Sequence, residues 1–284
     1  MQIKTAVILT CHNRKQTTLD SLILFFDAIK PDNYLFDIFL VDDGSCDGTS
    51  SAIKLNFPDV NIIIGSGDLY WNQGMRLAWK TAIQKYTPDF FLWLNDDTNI
   101  DKDALIHLFE CYDEYVNSHE NEAIIVASCR NKNDIDEHSY GLRDNGKTVI
   151  PNGRLQKGNL LNGNLVLISK AVYTKLGILS NSYTHAMGDY DYGLRALENG
   201  IELITTKKYI ATCKLNVGLP KWCDPKIGFL DRWKALHTPL GLNIKEYKIF
   251  RKRFWPKNYI MSILKVYLRC LMPSFYNKIL RNAK

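Results

Sequence analysis

The segment Leu92-Trp93-Leu94-Asn95-Asp96-Asp97-Thr98 is an apolar run that ends abruptly in adjacent carboxylates. Val41-Asp42-Asp43-Gly44-Ser45, earlier in the chain, repeats this pattern. Such runs are typical of buried strands, and an open parallel sheet places its ligand crevice at the carboxyl ends of its strands. Paired carboxylates repel each other unless a cation or donor-rich ligand lies between them. The segments therefore predict a site for a hard divalent ion and a diphosphate, although Asp42 or Asp43 alone could simply cap the structure that follows.

Strand-like and helical patterns alternate on both sides of these segments. The periodicity of apolar residues predicts strands at 3–10, 35–41, 60–64 and 90–94, separated by helices at 17–29, 45–56, 73–86 and 102–116. This order predicts a doubly wound α/β domain with a mostly parallel central sheet. The second half is less regular, with a strand at 123–128, loops or hairpins at 131–158, and helices at 171–176 and 191–199 that glycines terminate.

Length and composition limit the class of protein. With 284 residues, 46% hydrophobic and 23% charged, the chain can form one large core and an accessory segment. Its seven scattered cysteines form no CxxC pairs, which favours a reducing compartment and argues against structural zinc. The apolar run Ala6-Val7-Ile8-Leu9 is too short for a signal peptide, and no stretch approaches the roughly 20 residues of a membrane span. We expect a cytoplasmic protein.

The net charge of +6 is concentrated near the C-terminus, where Glu246 is the single acid from Lys245 to Lys284. Aromatic and aliphatic residues are interspersed among these lysines and arginines at helical spacing. The pattern predicts a helix lying on an anionic membrane, here the inner face of the cell membrane. A helix packed on the catalytic domain with a solvated basic face is the alternative. No nucleic-acid-binding motif is present, so we expect no such partner.

Four motifs occur in an informative order along the chain. They are Val7-Ile8-Leu9-Thr10-Cys11-His12-Asn13-Arg14, Val41-Asp42-Asp43-Gly44-Ser45-Cys46-Asp47-Gly48-Thr49, Asn95-Asp96-Asp97 and Gly188-Asp189-Tyr190-Asp191-Tyr192-Gly193-Leu194-Arg195-Ala196. Together they resemble family 2 glycosyltransferases of the GT-A fold, especially bacterial enzymes of O-antigen and surface polysaccharide synthesis, and are similar to rhamnosyl- and galactofuranosyltransferases. The resemblance implies a catalytic domain at 1–240, with a nucleotide-sugar half at about 1–120 and an acceptor half at about 121–240, followed by the tail 241–284.

The resemblance implies a donor site for a nucleotide-diphosphate sugar with uridine or deoxythymidine as the base. His12 replaces the usual aromatic that lies against the base, Asp43 would hydrogen-bond the base, and Asp42 would order the loop. Arg76 would contact the diphosphate, and Trp71 belongs to the donor-loop segment that would recognise the sugar. The expected donor-binding residues are Thr10, His12, Asn13, Asp42, Asp43, Gly67, Trp71, Arg76 and Asp96.

By the same resemblance, Asn95-Asp96-Asp97 stands at the metal-binding D-x-D position. Asp97 is then the expected ligand of Mn²⁺ or Mg²⁺, with Asp96 beside the metal or the ribose. Asn95 departs from the pattern and leaves the third protein ligand open. His185 and His237 are weaker alternatives, because a lone histidine is more often structural.

The acceptor side of the resemblance supplies the catalytic base. Inverting transfer needs a base for the acceptor hydroxyl, and Asp189 aligns with it. Gly188 stands where the family has another acid. Asp191 is a second candidate for the base, and alternatively it binds acceptor hydroxyls or caps the helix at 192–199. The expected acceptor-binding residues are Asn162, Gly163, Asn164 and Tyr190. The acceptor itself would be a polyprenyl-diphosphate-linked or other glycan.

Two other functions are compatible with the sequence. A nucleotidyltransferase shares the acidic α/β crevice but needs a glycine-rich, lysine-bearing loop, whose form Cys11-His12-Asn13-Arg14 lacks. A non-catalytic scaffold of a polysaccharide assembly complex would be consistent with the departures at Asn95 and Gly188. A dinucleotide oxidoreductase is disfavoured, since no GxGxxG follows the first strand.

Overall fold

The computed structural model describes residues 2–276. Its strands are β1 (Ile3–Cys11), β2 (Tyr34–Asp42), β3 (Asn61–Ile64), β4 (Phe90–Leu94), β5 (Asn99–Ile100), β6 (Ala123–Asn131), β7 (Asp134–Tyr140), β8 (Leu142–Asp144), β9 (Lys147–Thr148), β10 (Gln156–Gly158), β11 (Leu160–Leu161), β12 (Leu165–Ser169) and β13 (Glu202–Cys213). Its α-helices are α1 (Lys15–Asp27), α2 (Thr49–Asn56), α3 (Tyr70–Lys85), α4 (Ala104–His119), α5 (Lys170–Leu176), α6 (Gly188–Glu198), α7 (Phe229–Leu236), α8 (Ile244–Phe254) and α9 (Tyr259–Leu271). Short 3-10 helices lie at Lys221–Cys223 and Pro256–Asn258.

The main sheet is mostly parallel, as the alternation of elements predicts. Its central order is β3-β2-β1-β4-β12-β6-β13, and β10 extends it beyond β13. Strands β3, β2, β1 and β4 pair in parallel, as do β6 and β13. Strand β12 runs antiparallel between β4 and β6, a reversal that the sequence does not predict. Strands β8, β9 and β11 form a separate small antiparallel sheet.

Helices cover both faces of the main sheet, which explains why its strands are continuous apolar runs. In β1, Val7 and Leu9 point into one buried cluster, while Ala6 and Ile8 point into the other. Helices α1, α2 and α4 contribute to the first cluster, and α3, α5 and α6 to the second. A parallel sheet buried on both faces requires apolar residues at successive positions, so its strands lack a polar alternation.

Several helix starts differ from the prediction. The helix predicted at 191–199 begins at Gly188, that predicted at 73–86 begins at Tyr70, and that predicted at 45–56 begins at Thr49. The region 131–158 contains hairpin strands, as expected, of which β7 pairs antiparallel with β6. The earlier start of α6 decides the role of two aspartates in the site described below.

The chain divides into two compact units. The first comprises residues 1–181 and 188–215, and the second comprises residues 182–187 and 216 onward. The second unit thus includes residues 216–240, which the sequence analysis assigns to the catalytic domain. Its core gathers α7, α8 and α9 around buried side chains that include Trp222, Leu236 and Val266.

The tail predicted at 241–284 falls within the second unit, and its helices α8 and α9 are as the sequence suggests. Lys278, Arg281 and Lys284, which belong to the predicted basic tail, lie outside the described residues. Within residues 2–276, none of the helices has both the length and the apolar character needed to cross a bilayer.

Candidate active site

The carboxyl ends of β1, β2 and β4 lie side by side and define the site. Cys11 pairs with Asp42 across β1 and β2, and Ile8 pairs with Trp93 across β1 and β4. Because all three strands run in the same direction, the segments that follow them emerge at one edge of the sheet. The predicted donor and metal motifs are therefore brought together.

The loop after β1 is bonded to the loop after β2. The backbone N–H of Asn13 donates to Ser45 Oγ (2.8 Å), and Asn13 Oδ1 accepts from the backbone N–H of Cys46 (2.8 Å). His12 Nδ1 donates to the Asp43 carbonyl (2.6 Å), and its Nε2 accepts from Asn13 Nδ2 (3.0 Å). These bonds fix the ring at its edges. His12 is exposed, so it is not a core histidine.

Asp42 and Asp43 both organise loops. Asp42 accepts from the backbone N–H of Ser45 (2.9 Å) and from Ser50 Oγ, which agrees with the predicted loop-ordering role. Both oxygens of Asp43 accept backbone N–H groups, from residue 67 at 2.8 Å and from residues 69 and 70 at 2.8 and 2.9 Å. Asp43 is only 2% exposed. Its carboxylate therefore caps α3 and holds the segment before it, so the predicted contact with a base is not its principal role.

Three other predicted donor residues have distinct surroundings. Gly67 adopts a φ of +95°, a conformation that favours glycine. Thr10 is buried against Gly74 of α3, where an added Cβ would lie 2.8 Å from Thr10 Cβ. Arg76 donates to the carbonyl of Leu179, so the structure does not support its predicted contact with the diphosphate.

The acidic doublet after β4 carries an arginine between its carboxylates. Arg14 Nη1 lies 3.1 Å from Asp96 Oδ1 and 3.0 Å from Asp97 Oδ2. Asp96 is 7% exposed, and its Oδ2 has no hydrogen-bond partner among residues 2–276. Burial raises the pKa of Asp96 to about 7, against the lowering effect of Arg14. Asp96 and Asp97 together raise the pKa of Arg14, although burial opposes them.

The donor atoms of this doublet fit a hard divalent ion. Asp96 offers a buried oxygen without a partner, and Asp97 is partly exposed. In the described part of the chain, three or more histidine, cysteine or acidic side chains nowhere gather into a metal-binding group. Mg²⁺-type sites commonly use one or two carboxylates and complete their shell with substrate phosphates and water. Two carboxylates therefore suffice for an ion that arrives with a diphosphate.

Neither histidine considered as a third ligand belongs to the first unit. His237 Nδ1 donates to the carbonyl of Trp233 in its own helix (2.8 Å). His185 lies in the segment 182–187 of the second unit. Instead, the thiol of Cys213 lies near the doublet, with its Sγ 3.7 Å from Asp97 Oδ1. Burial is the main cause of a Cys213 pKa raised to about 12, so this group is a thiol that donates to Asp97.

An indole explains the amide at the first position of the acidic motif. Trp71 Nε1 donates to Asn95 Oδ1 (2.7 Å). The indole ring also lies under Gly163, where an added Cβ would lie 2.6 Å from the ring and 3.4 Å from Asp189 Cβ. The ring thus connects the metal motif with the predicted base. The predicted donor residue Trp71 and the predicted acceptor residue Gly163 belong to one continuous site.

Asp189 is a partly exposed carboxyl near the start of α6. Its Oδ2 accepts from the backbone N–H of Gly163 (3.2 Å), and its Oδ1 accepts from the backbone N–H of Tyr190 (2.8 Å). Burial raises the pKa of Asp189 to about 6, and these backbone N–H groups partly oppose the shift. A carboxyl with this pKa is ionised near neutral pH yet accepts a proton readily.

Gly188 occupies the position of the family's additional acid because no side chain fits there. An added Cβ would lie 2.7 Å from Asn72 Cγ and would overlap the amide oxygen. Asn72 is fully buried, and its Nδ2 donates to the carbonyl of Ser180 (2.9 Å). The side chain of Asn72 therefore fills the space that an acid at position 188 would need. Its involvement is not apparent from the sequence.

Asp191 is not a candidate for the base. It is fully buried inside α6 and accepts from Arg195 Nε (2.7 Å), while Arg195 also donates to the carbonyls of Leu176 and Ile178. Because α6 begins at Gly188, Asp191 lies in its first turn and does not cap a helix that follows it. This placement supports none of the roles predicted for Asp191, as base, as a ligand of acceptor hydroxyls or as a helix cap.

The remaining acceptor-side residues fall into two groups. Asn164 is buried, and its amide bonds to Thr98 and to Cys213 (3.3 Å each), so its predicted contact with an acceptor is not supported. Asn162 and Tyr190 are partly exposed, and their side chains hydrogen-bond to each other. They stay available for an acceptor.

Besides Asn72, the site contains Arg14, for which no role is predicted from the sequence. The available signal is its position three residues after the end of β1, next to the strand whose end carries the acidic doublet. Arginine is the cation suited to bridge a carboxylate pair.

The chain matches the family model described as glycosyl transferase family 2 over residues 6–174, more than half of its length. A search of curated proteins finds no match. Among solved structures, the mannosyltransferase PcManGT from Pyrobaculum calidifontis, in complex with GDP-Man and Mn²⁺, is 14% identical with a TM-score of 0.57. The match covers 100% of this chain and 76% of that one.

Two structures of S. aureus TarS are also similar, each with 14% identity and a TM-score of 0.55. For one, the match covers 94% of this chain and 44% of that chain, so this chain spans less than half its length. For TarS 1-349 in complex with UDP-GlcNAc, the coverages are 95% and 80%. These likenesses confirm the GT-A fold. With the family match, they lead to the conclusion that the chain belongs to glycosyl transferase family 2 and is a glycosyltransferase.

Proposed function

We propose that the chain transfers a sugar, with inversion at the anomeric carbon, from a UDP- or dTDP-sugar to a hydroxyl of a glycan acceptor. The observation that carries this proposal is the indole of Trp71, which links two carboxyl sites through its bond to Asn95 and its close packing against Gly163. One site contains Asp96, whose buried Oδ2 has no partner within residues 2–276, and the other contains Asp189, whose pKa burial raises to about 6. The Asp96 site suits the binding of a cation, and Asp189 suits the transfer of a proton.

Asp189 acts as the general base in this proposal. Its two backbone N–H donors hold the carboxylate in place, so its oxygen is oriented before the acceptor arrives. The acceptor O–H loses its proton to Asp189 as the oxygen attacks the anomeric carbon and the bond to the diphosphate breaks. Gly163, which packs closely against Trp71, supplies one of the two N–H groups. Because glycine has no side chain, it adds no steric barrier next to the Asp189 carboxylate.

Asp96 and Asp97 would hold a divalent ion, Mn²⁺ or Mg²⁺. When bound, such an ion neutralises the charge that develops on the leaving diphosphate. The Asp97 carboxylate is oriented by the Cys213 thiol, and the Asp96 carboxylate is held by burial. Support for the metal comes from these donor atoms, and PcManGT offers a parallel in a structure that contains Mn²⁺.

The nucleotide would lie across the ends of β1 and β2. His12 is the exposed ring at this edge, and its bonds to Asp43 and Asn13 occupy its two nitrogen atoms. A ring held by its edges keeps its face for stacking on a base. Asp42 and Asp43 then serve by shaping the two loops that surround the nucleotide.

The acceptor in this proposal is a polyprenyl-diphosphate-linked or other glycan of a bacterial surface polysaccharide such as O-antigen. Asn162 and Tyr190 would contact its hydroxyl groups beside Asp189. A lipid-linked acceptor requires the enzyme to work at the inner face of the cell membrane, and the second unit provides a surface for this.

Helix α9 carries that surface, which we term the apolar face of α9. It consists of exposed residues that recur on one side of the helix, namely Ile260, Met261, Leu264, Leu268 and Leu271. The exposed Lys265 lies along its border, and Arg269 packs over the rings of Trp222 and Tyr276 on the other side of the helix. Arg269 Nε is buried without a hydrogen-bond partner in residues 2–276. An apolar face bordered by cations suits an anionic bilayer.

Thermal unfolding with a panel of nucleotide sugars, with and without Mn²⁺, tests the transferase proposal. A ligand that binds only the folded state raises the unfolding midpoint by mass action. We expect one UDP- or dTDP-sugar to raise it only when Mn²⁺ is present. If no donor shifts the midpoint under either condition, the proposed donor site is wrong and a non-catalytic scaffold is favoured.

Co-sedimentation of the full chain with vesicles tests the membrane proposal. We expect binding to vesicles that contain phosphatidylglycerol, and little binding to neutral vesicles. The double substitution Leu264→Asp/Leu268→Asp should abolish it. Leu55→Asp is the matched control, because Leu55 is an 83% exposed leucine on α2 of the first unit. Equal loss of binding in the control would refute a specific role for α9.

A further inference from the structure

One nitrogen atom of Arg14 lies between the two carboxylates of the acidic doublet. Nη1 lies 3.1 Å from Asp96 Oδ1 and 3.0 Å from Asp97 Oδ2. A single N–H-bearing atom shared by two acids is a bridging arrangement, unlike the paired bonds of a guanidinium to one carboxylate. The arginine thus supplies the positive charge that the doublet needs when it is otherwise bare.

A divalent ion at the doublet would take over the charge of the two carboxylates that Arg14 now neutralises. Metal ions bind carboxylates through oxygen lone pairs. Arg14 uses Oδ1 of Asp96 and Oδ2 of Asp97, and Asp96 Oδ2, which has no partner within residues 2–276, is left for the ion. The guanidinium and the ion would also repel each other at this distance. Arg14 is the movable partner, because its side chain is 51% exposed and it precedes α1 in a loop, whereas Asp96 is buried. Because the bound ion would itself neutralise both carboxylates, the release of Arg14 would leave no buried charge uncompensated.

We propose that Arg14 is a displaceable counter-ion that holds the acidic doublet until the metal binds and then binds the diphosphate of the donor. This inference rests on the proposed metal-dependent transfer. A guanidinium released from the doublet stays tethered beside it, within reach of phosphate oxygens on the same ion. Arginine presents a planar set of donors that matches phosphate groups. Arg76, the arginine predicted for this contact, donates to the Leu179 carbonyl instead.

Mn²⁺ binding in the absence of nucleotide tests the first half of the proposal. Electron paramagnetic resonance of free Mn²⁺, titrated into the full chain, gives the dissociation constant. We expect Arg14→Gln to bind Mn²⁺ about three- to tenfold more tightly than the unmodified chain, because the competing cation is gone. Lys15→Gln is the control for net charge, since it removes a neighbouring cation that lies beside Gly48. Its dissociation constant should stay within about twofold.

Diphosphate binding tests the second half of the proposal. Here the substitution should lower the affinity, whereas it should raise the affinity for Mn²⁺. At saturating Mn²⁺, calorimetric titration with UDP and with dTDP should show Arg14→Gln binding the preferred nucleotide about tenfold more weakly. Arg14→Lys should recover part of this affinity, because it keeps the charge but loses the planar donor set. If Arg14 merely supported the fold, its substitution would not be expected to raise the affinity for Mn²⁺ and lower the affinity for the nucleotide.

The outcomes separate this proposal from the proposed function. If Arg14→Gln leaves Mn²⁺ affinity unchanged or weakens it, the competition is refuted while the metal site stands. If nucleotide affinity does not fall at saturating Mn²⁺, the diphosphate contact is refuted. If Mn²⁺ binds only together with UDP or dTDP, the competition in the nucleotide-free chain is refuted while the metal site stands. If Mn²⁺ binds neither with nor without nucleotide, the metal assignment and this proposal are both overturned.

Discussion

Replacing Gly188 by alanine should destabilise the protein, although alanine is the better helix former. The new Cβ would lie 2.7 Å from Cγ and 3.2 Å from Cβ of Asn72, a buried side chain in α3. To make room, Asn72 must shift and weaken its bond to the Ser180 carbonyl. Overpacking costs about 1–3 kcal/mol and a weakened buried hydrogen bond about 1 kcal/mol. The gain in helix propensity is at most about 1 kcal/mol.

The net loss in unfolding free energy is therefore about 1–3 kcal/mol. For a chain of this size, each kcal/mol lowers the unfolding midpoint by about 2–4 °C, so calorimetry should show a fall of about 2–12 °C. Gly228→Ala is the matched control. Gly228 has an ordinary φ of −61°, and an added Cβ meets its nearest atom only at 4.0 Å. Because Gly228 is the N-cap of α7, where alanine is less favourable than glycine, we expect a cost of at most about 1 kcal/mol, below that of Gly188→Ala.

A double-mutant cycle identifies the cause of the loss. In an Asn72→Ala background, the overlapping amide is absent, so Gly188→Ala should cost much less than it does alone. Gly188→Asp, which restores an acid at this position, should be more destabilising than Gly188→Ala. The reasoning is wrong if Gly188→Ala is as well tolerated as Gly228→Ala, or if its cost is the same with and without the Asn72 side chain.

Three further outcomes are expected at the same site. Asp189→Asn should lower turnover by about 10²–10⁴-fold while donor affinity by titration changes less than about twofold; normal turnover would exclude Asp189 as the base. Because burial raises the pKa of Asp189 to about 6, turnover should fall about tenfold per pH unit below that value and level off above it, and a flat profile from pH 5 to 8 would contradict this assignment. Trp71→Phe removes the bond to Asn95, which should weaken metal-dependent donor binding; unchanged binding would refute a role for the indole in holding the motif.

The sequence predicts the main sheet well because its signals are local. Each strand of the first half is an apolar run, and the carboxylates that follow β2 and β4 mark where the strands end. The antiparallel direction of β12 is set by its neighbours β4 and β6, and a five-residue apolar strand carries no sign of its direction. The close packing of Gly188 against Asn72 of α3 is equally non-local, since 116 positions of the chain separate the two residues.

The roles of individual charged residues were harder to predict for a related reason. Arg14 and Arg76 are both arginines near a strand or helix start, and the sequence does not tell which of them faces the carboxylates. Asp189 and Asp191 lie two residues apart in one helix, yet one is partly exposed and the other is buried with Arg195. Residues two apart lie on different faces of a helix. The sequence alone does not tell which of the two faces is buried against the sheet and which faces the site.

The manner in which Asp43 holds the segment 67–70 has a consequence for how this enzyme can change its donor. All three bonds are made to main-chain N–H groups, which every residue except proline provides. Side chains at exchangeable positions such as Asp68 can therefore vary while the backbone keeps its course. If this segment contacts the donor sugar as proposed, new sugar preferences can arise by substitution at such positions while the backbone stays bonded to Asp43.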